Sequence, residues 1–142
     1  MDKHFDKRLS NWPRLLANFI EARRHTPFAW GTNDCCTFAA DAIKEIYGTD
    51  PMARLRGTYE DAAGVLIIIG AINDLPIVVN EILTECGFRE IAPRLAGRGD
   101  PVCVMLELPT CGVHLGNLVA APGADGLVFL SPDKIVNAWR AS

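Results

Sequence analysis

Residues 26–38 read TPFAWGTNDCCTF, and the passage from loop to helix inside this stretch decides the fold. The Thr26-Pro27 step ends whatever helix precedes it, because the residue before a proline is pushed out of the helical region. PFAWGTN then forms a loop, and Asn33 or Asp34 can cap a new helix through a side-chain oxygen. In the following CCTFAADAIKEIYG, Phe38, Ala39, Ala42, Ile43 and Ile46 share one stripe, no breaker intervenes, and Gly48 stands just past the end. The spacing predicts a helix over about 34–47, with two adjacent cysteines at its start.

Upstream, Ser10 or Asn11 before Trp12 and Pro13 marks a helix start, and Leu15, Leu16, Phe19 and Ile20 recur at helical spacing, which predicts a helix over about 12–24. Downstream, 59–69 and 75–86 read as two more helices, closed by Gly70 and Gly87. Beyond Gly97 the period changes. PVCVMLEL, VHLGNLVAA and GLVFLS are short β-rich runs separated by GRGD, PTCG and PGADG, which are turn compositions. Helices followed by an antiparallel sheet of at least three strands define an α+β chain, with residues 1–142 as one domain.

Composition narrows the function. The chain is 49% hydrophobic, enough to close a core, and its net charge of -3 with scattered Lys and Arg leaves no footprint for nucleic acid. MDKHFDKRLSNWPRLL lacks the charged-then-apolar pattern of a signal peptide. The longest apolar run, Ala62 to Ile72, is broken by Gly64 and Gly70 and falls short of the roughly 20 residues a bilayer needs, so no membrane insertion is expected. Synthesis in a reducing cytoplasm is expected, where five cysteines are free thiols, ligands or a nucleophile rather than a disulfide framework.

A thiol attacks as thiolate, and a helix N-terminus favours that negative charge. Cys35 and Cys36 both sit at such a terminus, and since successive helical residues point about 100° apart, their sulfurs are expected not to share one cleft. One is a candidate nucleophile and the other packs, without the spacing choosing between them. Of the histidines, His4 lies in a terminus expected to fray and His25 follows Arg23 and Arg24 at a helix end. His114 opens the run HLGNLVAA after PTCG, where an imidazole can accept a thiol proton.

Taken together, Pro27-Phe28-Ala29-Trp30-Gly31, Asp34-Cys35, Gly99-Asp100 and His114-Leu115-Gly116 resemble the motif series of the NlpC-like cysteine peptidases. WPRLL near the start, the DP and RGTY segments and NAWR near the end are similar to the phage-tail branch of that family. The resemblance implies a papain-like α+β core with the cysteine helix packed on the sheet that carries the histidine. It assigns Cys35 as nucleophile and His114 as base, and leaves Cys36 where the family has serine. Phe28 stands where the family has tyrosine and Thr37 where it has glycine, which is expected to crowd the helix start. If 114–121 and 126–131 form a hairpin through PGAD, Ser131 falls near Gly116 and orients the imidazole, with Asp125 in the turn.

The resemblance implies a thiol peptidase or amidase acting on the peptide stem of bacterial peptidoglycan from the tail tip of a phage virion, beside other tail-tip proteins. The alternative it allows is a tail-assembly protein that keeps the fold with little or no activity, a role that an apolar surface patch would serve. A metal reading would enlist Cys35, Cys36, Cys103, Cys111 and His114, but no C-x-x-C pair is present and adjacent cysteines rarely chelate one zinc, so neither a metal nor a cofactor is expected. Trp12, Trp30 and Trp139 read as core or interface anchors, and Arg54, Arg56 and Tyr59 as a solvated helix start.

Overall fold

The computed structural model describes residues 7–141. Four helices precede most of the sheet: α1 (Trp12–Arg23), α2 (Cys35–Tyr47), α3 (Ala62–Ile69) and α4 (Leu75–Glu85). The strands are β1 (Phe88–Ile91), β2 (Pro101–Met105), β3 (Pro109–His114), β4 (Val119–Gly123), β5 (Gly126–Leu130) and β6 (Ile135–Ala141). They form one antiparallel sheet in the order β1-β6-β2-β3-β4-β5, and the chain is α+β as expected.

Each helix is bounded by the signals that its sequence carries. Asp34 caps α2, and Gly48 ends it in the left-handed region at φ 80°. Helix α3 begins at Ala62 rather than Tyr59, because the Asp61 side chain accepts from Gly64 N and fixes the start there. Among the described residues no single helix is long and apolar enough to cross a membrane.

The sheet departs further from expectation. Strands β1 and β6 escape the sequence reading: FREI exposes its two central charged residues, and NAWR looks polar although Trp139 is fully buried. PTCG is not a turn but the first part of β3. Gly112 belongs in the strand because a Cβ there would stand 2.7 Å from the Ala120 carbonyl oxygen, so only glycine lets β3 and β4 approach this closely. The run VHLGNLVAA is accordingly two strands, joined by a turn in which Leu115 N donates to Leu118 O at 2.8 Å. His114 therefore ends a strand instead of opening one.

Strand alternation divides the core. Cys103, Cys111, Val113, Ala120 and Trp139 face the helices and pack with Leu16, Phe38, Ile43, Ile46 and Leu83. Ile91, Val102, Val104, Val119, Ile135 and Ala138 form a smaller cluster on the opposite face. Helix α2 lies on β3 and β4, so its N-terminus meets the middle of the sheet.

Candidate functional site

The start of α2 is held by one carboxylate. Asp34 is buried; its Oδ1 accepts from Thr37 N at 2.9 Å, and its Oδ2 accepts from Gly31 N at 2.8 Å and from the Tyr59 hydroxyl at 2.7 Å. The Thr37 hydroxyl accepts from Asp34 N at 2.9 Å, closing a reciprocal capping box. Thr37 thus spends its side chain inside the cap and is itself fully buried, so it does not crowd the exposed side of the helix start. Tyr59 is a site residue that the sequence reading passed over as a solvated helix start. Its partner lies 25 positions away, beyond any local periodicity. Burial, followed by the nearby Asp34 carboxylate, raises the Tyr59 pKa far above its ordinary value, so the phenol stays a donor.

Against this capped terminus the structure gathers three thiols. The sulfurs of Cys35, Cys36 and Cys111 all lie within 4.8 Å of one another, and Cys36 Sγ is 3.7 Å from Cys111 Sγ. Cys103, paired with Cys111 across β2 and β3, extends the row at 3.9 Å. Cys111 reaches the helix start from β3 and its sulfur meets both neighbours, while Cys36 and Cys111, and not Cys35, line the apolar pocket beside α2. Cys35 and Cys36 are partly exposed, and Cys111 is buried.

The thiols divide the charge among themselves. Hydrogen bonds from Cys111 and then Cys36 hold Cys35 well below the usual thiol pKa, against the opposing effect of burial. For Cys36 the Cys111 thiol pulls downward, but the bond to Cys35, burial and the charges of Cys35 and Asp34 outweigh it and the pKa rises. Cys111 is raised by its bonds to Cys103, Cys35 and Cys36 and by burial. Of the three thiols Cys35 is the first to ionise, with Cys36 and Cys111 as donors toward it.

His114 is not part of this arrangement. In β3 the side chains of Cys111 and Val113 face α2, so alternation turns Gly112 and His114 to the other face. The cross-strand partner of His114 is Val119, which belongs to the cluster on that far face. Among the described residues no hydrogen bond joins His114 to Cys35. Instead its Nδ1 accepts from Gly116 N at 2.9 Å, which puts the proton of the neutral ring on Nε2, and its backbone exchanges bonds with Asp100 O and Gly99 N. Only 5% of His114 is exposed; burial lowers its pKa, and the Asp100 charge partly offsets this. The imidazole braces the β3–β4 turn.

Ser131 does not orient the imidazole. It is exposed one residue beyond Leu130, which pairs with Val119, and its hydroxyl accepts from Asp133 N at 3.3 Å. Asp125 lies in the turn between β4 and β5. His25 is exposed at the end of α1, and His4 lies outside the described residues. Asp100 is fully buried and receives Arg8, Arg140 and Gly97 N, which clamps the entry to β2. Trp139 is a core anchor, whereas Trp30 stands 39% exposed on the loop before α2.

Residues 7–141 match the family model DUF6950, a domain of unknown function, and the chain belongs to that family. Among curated proteins none matches the sequence.

Proposed function

We propose that this DUF6950 member is an assembly component of a phage tail tip, built on the papain-like frame of the NlpC-like peptidases with its hydrolytic pair unassembled. The motif series from Pro27 to Gly116, and a cysteine-bearing helix laid on an antiparallel sheet, support the frame. The observation that carries the loss of hydrolysis is the register of β3, which sets His114 on the face away from Cys35. Without a nearby imidazole the thiolate lacks the group that protonates the leaving amine and then activates water against the acyl-enzyme. Apolar surface supports a partner: α3 reads AAGVLIII, yet only Ile69 is buried, and Leu66 and Ile67 on α3 and Ile77 on α4 are exposed. Phage carrying Cys35→Ala are expected to form plaques at the normal yield, and deletion of the chain is expected to remove intact tails. A Cys35→Ala defect confined to infection through an intact wall contradicts this reading.

The second reading, a peptidase or amidase on the stem peptide of peptidoglycan, draws on the partly exposed Cys35 and its depressed pKa. In it the Cys35 thiolate attacks the scissile amide and water resolves the acyl-enzyme, with a group other than the outward-facing His114 handling the protons. Hydrolysis of purified stem peptides that vanishes in Cys35→Ala and survives in His114→Gln distinguishes it. No hydrolysis by the wild type removes it.

A further inference from the structure

We propose that Cys35, Cys36 and Cys111 form a zinc site in which three thiolates leave the fourth coordination position open. The inference rests on the sulfur geometry alone and is independent of any role in hydrolysis or tail assembly. A tetrahedral zinc with Zn–S bonds of about 2.3 Å requires its sulfurs to stand about 3.8 Å apart. Cys36 and Cys111 already stand 3.7 Å apart, and Cys35 is within 4.8 Å of both. A side-chain rotation at Cys35, on the partly exposed side of the cluster, closes the remaining gap.

The surroundings suit a soft dication. Among the described residues the cluster holds no nitrogen or carboxylate donor, and the oxygens of the neighbouring Asp34 are engaged by Thr37 N, Gly31 N and Tyr59. Thiolate donors select zinc and other thiophilic ions over magnesium or calcium. Three thiolates and Zn²⁺ leave a net charge of -1, which the positive end of the α2 dipole favours. Cys103, 3.9 Å from Cys111 and outside the three-sulfur group, is placed as an outer-shell thiol donor to that sulfur. Each sulfur coordinates as thiolate, so the thiol protons leave to solvent as the metal enters. Water occupies the fourth position until another donor replaces it.

The test uses the full chain, reduced, stripped with a chelator and re-equilibrated with zinc alone. The expected result is one zinc retained per chain, with alkylation of Cys35 slowed at least tenfold by stoichiometric zinc. Cobalt(II) substituted at the site is expected to give intense visible bands of tetrahedral thiolate coordination. Cys111→Ser is expected to weaken zinc by more than the roughly 10–100-fold that losing an outer-shell partner costs. If Cys111→Ser fails to fold, Cys35→Ser and the wild-type protection assay decide. Failure to retain zinc, retention undiminished in both serine variants, or unchanged Cys35 alkylation in the presence of zinc overturns the proposal.

Discussion

Asp34 shows how one side chain fixes the start of the cysteine helix. It caps the helix through Thr37 and pins the preceding loop through Gly31 and the distant Tyr59. Asp34→Ala removes the cap and leaves the half-buried Tyr59 phenol without its acceptor, and is expected to cost about 2–3 kcal/mol in urea denaturation. Tyr59→Phe removes a single bond and is expected to cost about 1–1.5 kcal/mol. The cap was legible because it is local: a side-chain acceptor immediately before an apolar-periodic run. Tyr59 and Cys111 were not, since what defines them is a partner 25 and 75 positions away.

At the scale of elements, the loop before α2 depends on Gly31. It has φ 84°, and a Cβ there would stand 2.6 Å from the Tyr59 carbonyl oxygen, so Gly31→Ala meets both backbone strain and a clash with main chain. A loss of at least about 1 kcal/mol is expected by the same denaturation measurement. The β3–β4 turn carries a pH dependence. The folded-state pKa of His114 is lowered, so the unfolded chain takes up the proton first and wild-type stability falls as pH drops through about 6.5. His114→Gln, which retains a side-chain acceptor for Gly116 N, is expected to lose that component when melting is followed from about pH 7.5 to about pH 5. The helices were legible because each carries local boundary signals: a proline in the first turn of α1 and α4, an aspartate cap on α2 and α3, and a glycine just past α2, α3 and α4. The runs that became β2 and β5 were legible too; β3 was not, because Gly112 and Pro109 carry turn composition inside it, and that shift in reading moved His114 from the start of a strand to the end of one. A one-residue change of parity transfers a side chain to the opposite face, and composition holds no record of it.

At the scale of the whole molecule, helices laid on an antiparallel sheet leave α3 as the least buried apolar element, with Ile67 85% exposed. Ile67→Lys is expected to alter monomer stability by no more than about 0.5 kcal/mol, while abolishing incorporation of the chain into purified tails. Normal incorporation of that variant counts against α3 as the surface of the proposed assembly role. The α+β class was legible from the order of helical and β-rich runs, whereas the meeting of three thiols at the centre of the sheet is a product of topology.

Cys35 owes its lowered pKa to Cys111 and Cys36 and not to His114. This is tested most directly by the pH dependence of Cys35 alkylation with iodoacetamide, the labelled residue located by peptide mapping, in metal-free wild type, Cys111→Ala and His114→Gln. Labelling well below the ordinary thiol pKa of about 8.5 is expected in wild type and His114→Gln, with a shift toward that value in Cys111→Ala. Loss of low-pH labelling in His114→Gln, with Cys111→Ala unaffected, would contradict this and restore the thiolate-imidazole pair.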